Sequence, residues 1–246
     1  MAAVTHAGTT FNTTGGDTTV TATPASGDLI VVVAATSGLA GGTTAVSDNN
    51  PSGGNYVQVD SDRTGFSTTG VLTVWVRTQP VGHAVSTVFT ASQGGSTGGG
   101  LSVLRVSGMK RAGANAVRSS GGQSSGTAAT TPAPVLSQAP LTGNAIIEAV
   151  ANGTNSTTTV TPRASFTEDF DNGYATPATG LEVSHRNSGE TTATQTFGST
   201  TASAFASVAI ELDTTDPAVI IDPLGYNIDD PGVSIPRTAA MRSSVL

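Results

Sequence analysis

The chain has 246 residues, with 10 Lys and Arg against 17 Asp and Glu, no cysteine, and charge on only 11% of its positions. Disulfides and thiolate metal sites are thereby excluded, and a net charge of −7 with a single lysine, Lys110, argues against wrapping a phosphate backbone. Leu, Ile, Val and Phe sum to 51 residues, near the level at which chains stay disordered, but the net charge is low and the apolar residues gather in short runs, so a folded chain with a lean core is expected.

The N-terminus Met1-Ala2-Ala3-Val4-Thr5-His6 has neither the basic start nor the apolar stretch of a secretion signal. The longest apolar run, residues 29–35, falls far short of the ~20 residues of a membrane helix. Synthesis in the cytoplasm and no membrane partner are the expectation. That same run, Leu29-Ile30-Val31-Val32-Val33-Ala34-Ala35, is β-branched and continuous, as in a strand buried on both faces. Val71-Leu72-Thr73-Val74-Trp75-Val76-Arg77 follows, with Trp75 and Arg77 on one face and Leu72, Val74 and Val76 on the other; Arg77 is expected as a charge at the edge of that face, leaving Trp75 partly covered. Residues 85–90 and 101–106 read as strands too, separated by breakers such as Gly94-Gly95-Ser96-Thr97-Gly98-Gly99-Gly100. No amphipathic helix of ten residues is visible.

The second half repeats the first. Residues 27–34 are echoed by 143–150, residues 56–62 by 164–170, residues 71–77 by 181–186, residues 85–90 by 192–197, and residues 101–106 by 205–210. The expected fold is all-β: a jelly-roll-like antiparallel β-sandwich over residues 1–213, built from two similar halves, about 1–118 and 135–213. Residues 119–134, rich in Ser, Gly, Thr and Pro, are expected to link them. Two separate small sandwiches are the alternative.

After Asp213 the character changes. Pro217, Pro223, Pro231 and Pro236 crowd residues 214–246 and forbid a helix or central strand, yet Ile220, Ile221, Leu224, Tyr226, Ile228, Val233 and Ile235 are large and apolar. An extended C-terminal arm that lays these side chains on a partner accounts for both facts.

The order Gly27-Asp28-Leu29-Ile30-Val31-Val32, Gly54-Asn55-Tyr56, Leu72-Thr73-Val74-Trp75 and Leu101-Ser102-Val103-Leu104-Arg105-Val106-Ser107-Gly108 resembles the β-sandwich modules of bacteriophage structural proteins. The second half continues the resemblance through residues 164–168 and 206–212. It implies a non-enzymatic virion protein, a capsid decoration or head fibre, or else a tail or neck protein. Its partners would be other virion proteins (major capsid, neck or tail protein), with no nucleic acid, and it would itself be a homo-oligomer, with a trimer as first expectation. A carbohydrate-binding or adhesive module, using Tyr56, Phe66 and Tyr174 as loop aromatics, is the other reading.

Catalytic motifs are weak. Gly122-Gln123-Ser124-Ser125-Gly126 matches the G-x-S-x-G nucleophile pattern, but within a low-complexity stretch that offers no strand-to-helix turn. His6, His83 and His185 lack short metal-ligand spacing. No catalytic residue and no cofactor are expected. The calcium candidates are Asp60, Asp62, Glu168, Asp169 and Asp171, close-set oxygen ligands that serve equally as solvated turns.

Overall fold

The computed structural model describes residues 2–38, 42–50, 54–61, 63, 64, 66, 69–82, 84–129, 131–153, 160–175, 178–197 and 203–215, with backbone alone at 128, 129, 174, 175, 178 and 179. The apolar arm residues, Ile220 through Ile235, lie outside the described residues, as do Asp62 and His83. The described strands belong to one compact unit, Met1–Thr215.

The fold is all-β and antiparallel, as the alternating and β-branched runs require. Sheet A contains β1 (Ala3–Asn12), β3 (Leu29–Ser37), β7 (Val71–Thr78), β9 (Gly98–Ser107) and two short pieces, β5 (Val57–Gln58) and β6 (Arg63–Thr64), that both pair with β7. Its order is β1-β9-β3-β7-β5. Sheet B, β2-β8-β4, is built from β2 (Thr18–Ala22), β8 (Thr87–Ser92) and β4 (Ala45–Asp48). Sheet C contains β10 (Val117–Ala129), β14 (Ser203–Leu212), β11 (Ala145–Asn152), β13 (Ala178–Arg186) and β12 (Thr167–Ala175), in the order β10-β14-β11-β13-β12. The order of sheet C therefore repeats that of sheet A strand for strand. Among the described residues every strand pair stays within its own half.

Period-two alternation decides which side chains meet. Leu29, Val31, Val33, Leu72, Val74, Val76, Leu104 and Val106 point from sheet A into a shared core with Ile147, Ala149, Leu181, Val183, Val208, Ile210 and Leu212 of sheet C. The opposite face of sheet A, with Ile30, Val32, Ala34, Leu101 and Val103, packs on Val20, Ala22, Val46, Phe89 and Ala91 of sheet B. Sheet A is thus a middle layer, which is why β3 is buried at all nine positions. Each fully buried Val, Leu or Ile contributes about 1.5–3 kcal/mol of transfer free energy. Trp75 falls on the sheet B side, partly covered, with its indole N–H donating to the Thr73 hydroxyl at 3.1 Å.

Three expectations need correction. Residues 119–134 are not a plain linker, because β10 occupies 117–129 and forms an edge of sheet C. Two of its glycines are packing devices: a Cβ on Gly121 would strike the Val135 carbonyl, and one on Gly122 would strike Arg63 and the Ser207 carbonyl. The repeat is also two residues out in places. Leu29 lies opposite Val106 and Ala145 opposite Leu212, so Leu101 corresponds to Ser207, not Phe205, and Tyr56 to Phe166, not Ala164. A shift of two preserves the facing of every side chain, so the pattern could not reveal it. Third, Arg77 is not an edge charge: it is 5% exposed and paired with Asp48 at 2.5 Å.

Candidate functional site

The acidic residues singled out in the sequence are divided by the fold. Asp60 sits in the turn between β5 and β6 and is held by Arg63 through a two-pronged pair, at 2.8 and 2.6 Å. Asp169 occupies a bulge in β12, where the register slips between Glu168 and Phe170, and its carboxylate lies 2.7 Å from His185 Nδ1. Glu168 and Asp171 flank that bulge, and Asp171 pairs across the sheet with Glu182. Among the described residues no three His, Asp or Glu side chains come together as metal ligands.

What the sequence missed is the environment those acids join. The outer face of sheet C carries Glu148, Glu182 and Glu211, all 1% exposed or less. Burial pushes the Glu182 carboxyl up to about 9, reinforced by Asp171, Glu168 and Glu148. Burial likewise raises Glu148 to about 8, against the opposing pull of Arg163 and the Ser184 hydroxyl. Asp171, nearer solvent, is raised to about 6 by burial and by Glu168. Glu211 is differently placed, accepting from Arg118 at 2.6 Å, Asn144 at 2.7 Å and the Leu141 N–H at 2.9 Å.

Covering this face are irregular segments. Residues 132–136 and 193–197 run side by side, tied by the Leu136 N–H to Ala193 O, the Gln195 N–H to Pro134 O and the Phe197 N–H to Pro132 O. Arg163 stacks on Phe166 at 4.9 Å, bonds Gln195, and pairs with Glu190 at 3.2 Å; Arg186 also reaches Glu190 at 3.1 Å. Burial acts to raise Glu190, but the Thr192 and Thr191 N–H groups with Arg163 and Arg186 outweigh it and hold the carboxylate below its usual range.

A second feature is a polar groove where the β5–β6 turn meets the start of β10. One cavity of about 340 Å³ is lined by Gln58, Val59, Ala114, Val117, Arg118, Ser119, Ser120 and Ser137, and a neighbouring one of about 600 Å³ by Gln58, Val59, Asp60 and Ser61. Its charges are already committed, Asp60 to Arg63 and Arg118 to Glu211. The rest of its polar lining is neutral, and within it the Ser119 and Ser137 hydroxyls bond each other at 3.0 Å.

Of the aromatic candidates, Tyr56 and Phe66 are not a sugar platform. Tyr56 and Phe66 are buried at 7% and 0% exposure; the Tyr56 hydroxyl donates to Asp48 at 2.9 Å beneath the Arg77 guanidinium. Burial, then the pull and push of Arg77 and Asp48, hold the Tyr56 phenol far above its ordinary range. The Tyr174 side chain lies outside the described residues. Ser124 sits in the middle of β10, in extended backbone with no turn to lift it out as a nucleophile. No protein family model matches the chain, and no curated protein or solved structure shows significant similarity to it.

Proposed function

We propose that the protein is a structural component of a bacteriophage particle: a capsid decoration or head-fibre protein, with tail or neck placement as the variant of the same reading. The observation that carries it is the duplicated, three-layer antiparallel block, whose strands β3, β7 and β9 hold the residues of the resemblance. The wiring supports the jelly-roll reading as well, since β1, β2, β3 and β4 alternate between sheets A and B before β8 returns to sheet B and β9 to sheet A. Such a block is a rigid body with a closed core, suited to binding through its surface or its arm rather than to chemistry. In this reading the protein is non-enzymatic and oligomeric, resides in the virion, and anchors through residues 214–246.

The test is reconstitution on particles that lack the component. Full-length protein is expected to decorate them in regular copies by electron microscopy, and protein ending at Thr215 is expected to bind at least tenfold more weakly. Absence of the chain from purified particles overturns the reading. A second reading, a carbohydrate-binding module, is favoured by the groove lined by Ser119, Ser120 and Ser137, whose polar lining is neutral apart from Arg118. A glycan array separates the two.

A further inference from the structure

Sheet C buries acid at positions where sheet A buries hydrocarbon or neutral groups. Glu182 is 1% exposed, and neither of its carboxylate oxygens has a hydrogen-bond partner among the described residues. The charged groups that face it are of its own sign: Asp171 and Glu168 from β12, and Glu148 from β11. Glu148 accepts the Ser184 hydroxyl on one oxygen at 3.1 Å, while its other oxygen has no hydrogen bond. From the covering segments Arg163 comes within 4.0 Å of Glu148, but it stands closer to Glu190, which Arg186 also holds. One shared guanidinium cannot neutralise this face. A carboxylate that is out of water and unpaired takes up a proton rather than persist as an ion.

We propose that this face is a proton-held latch: Glu182, with Glu148 beside it, is uncharged while the covering segments lie on sheet C, and loss of those protons loosens the cover while the first half stays closed. The cover is suited to such a role because it is thinly held. In place of a three-stranded sheet it has, among the described residues, the Val135–Thr194 bridge with the three backbone hydrogen bonds that tie 132–136 to 193–197, and two small apolar clusters. One of these clusters includes Val150, the direct cross-strand neighbour of Glu182, together with Val160 and Phe197. Ionising Glu182 therefore places a charge against the contact that keeps the cover down. The carboxyls at about 8 and about 9 set the range in which this happens. Among the described residues the buried acids of the first half are partnered, Asp48 by Arg77 and the Tyr56 hydroxyl and Asp28 by the Ala25 N–H, so that half has no equivalent response.

Hydrogen exchange followed by mass spectrometry from pH 6 to 10, with labelling times scaled to the intrinsic chemical rate, tests the latch on the full chain. Protection in β11, β13 and residues 160–166 is expected to fall by up to about tenfold per pH unit for each proton released, with β2, β3 and β8 unaffected. Glu182→Gln is expected to remove most of that slope. Where the variant fails to fold, carbon-13 labelling of the five glutamate side-chain carboxyls in the wild-type chain gives the answer directly. At pH 7, two of them should still be protonated. Titration of all five in the ordinary carboxylate range, or parallel loss of protection in both halves, overturns the proposal.

Discussion

Register makes the outer faces of the two halves directly comparable, and they have solved the same burial problem in opposite ways. Val32, Thr73 and Leu101 of sheet A correspond to Glu148, Glu182 and Ser207 of sheet C. The first set faces a hydrogen-bonded sheet anchored by Phe89; the second faces irregular segments tied by Arg163, Glu190 and Gln195. A hydrocarbon face needs a partner of matching shape and periodicity, and strands supply it. A face with carboxyls needs donors at particular points, and loops can reach those points where a regular strand cannot. Loss of strand structure in the second cover and gain of acid beneath it are thus two aspects of one change.

The largest effect should come from moving the second half's chemistry into the first. Val32→Glu places a carboxyl between sheets A and B with no donor built for it, and it should cost about 4 kcal/mol or more in denaturant unfolding. A cost under about 1 kcal/mol would mean that the two faces tolerate charge equally. Next comes Arg77→Met, which strands Asp48 at the end of the apolar layer. Removing one partner of a buried pair costs about 3–5 kcal/mol, and here a loss near zero would show that the Asp48–Arg77–Tyr56 knot adds nothing to the junction of β4, β5 and β7.

A smaller and more diagnostic effect is the dependence of stability on pH. Glu148, Glu182 and Asp171 hold protons in the folded chain at a pH where the unfolded chain has released them. Folding then takes up protons, so stability falls as pH rises from the ordinary carboxylate range toward about 9, by about 1.4 kcal/mol per pH unit for each such proton. Glu190 works in the other direction: its depressed carboxylate stabilises the fold above the ordinary range and loses that contribution as acid protonates it. Maximum stability is expected on the weakly acidic side of neutrality, near pH 5, by thermal melts across pH 3–10. A maximum above pH 8 would contradict the buried acids. The smallest effect belongs to Trp75→Phe. It removes one indole N–H bond on a partly covered ring and should cost about 1 kcal/mol or less by the same melts. A cost above about 3 kcal/mol would mean that the ring is a central element of the sheet A and B layer.

The sequence made the sandwich legible because its signals were local. β-Branched runs gave β3, β7 and β9, alternation gave the faces of β7, and self-similarity gave the two matching sheets. It concealed β10, since Gly121, Gly122 and the surrounding serines have poor strand propensity and are there to admit the Val135 backbone and Arg63. The acid face was hidden for a related reason. Glu148 is one charge in an apolar run and Glu182 stands between Leu181 and Val183, and only the pairing of β11, β13 and β12 brings them beside Asp171. Glu168, Asp169 and Asp171 looked like one cluster along the chain. A bulge sends Asp169 to His185 and leaves the other two with Glu182.

The nesting of the ladders has a consequence for how the chain is made. In each sheet the last strand of the half, β9 or β14, inserts between the first two strands of that sheet, β1 and β3 or β10 and β11. Neither sheet can close until its final strand has been synthesised, and no strand of one half completes the other. On a ribosome that extends the chain by about 5–20 residues per second, the first half can zip shut while the second is still being translated. It then presents the inner side of sheet A, with Leu29, Val31, Leu72, Val74, Leu104 and Val106, as bare hydrocarbon to solvent for several seconds. A ribosome that stalls anywhere between residues 117 and 203 leaves that surface without its mate, and the released fragment is the species most prone to aggregate or to engage chaperones.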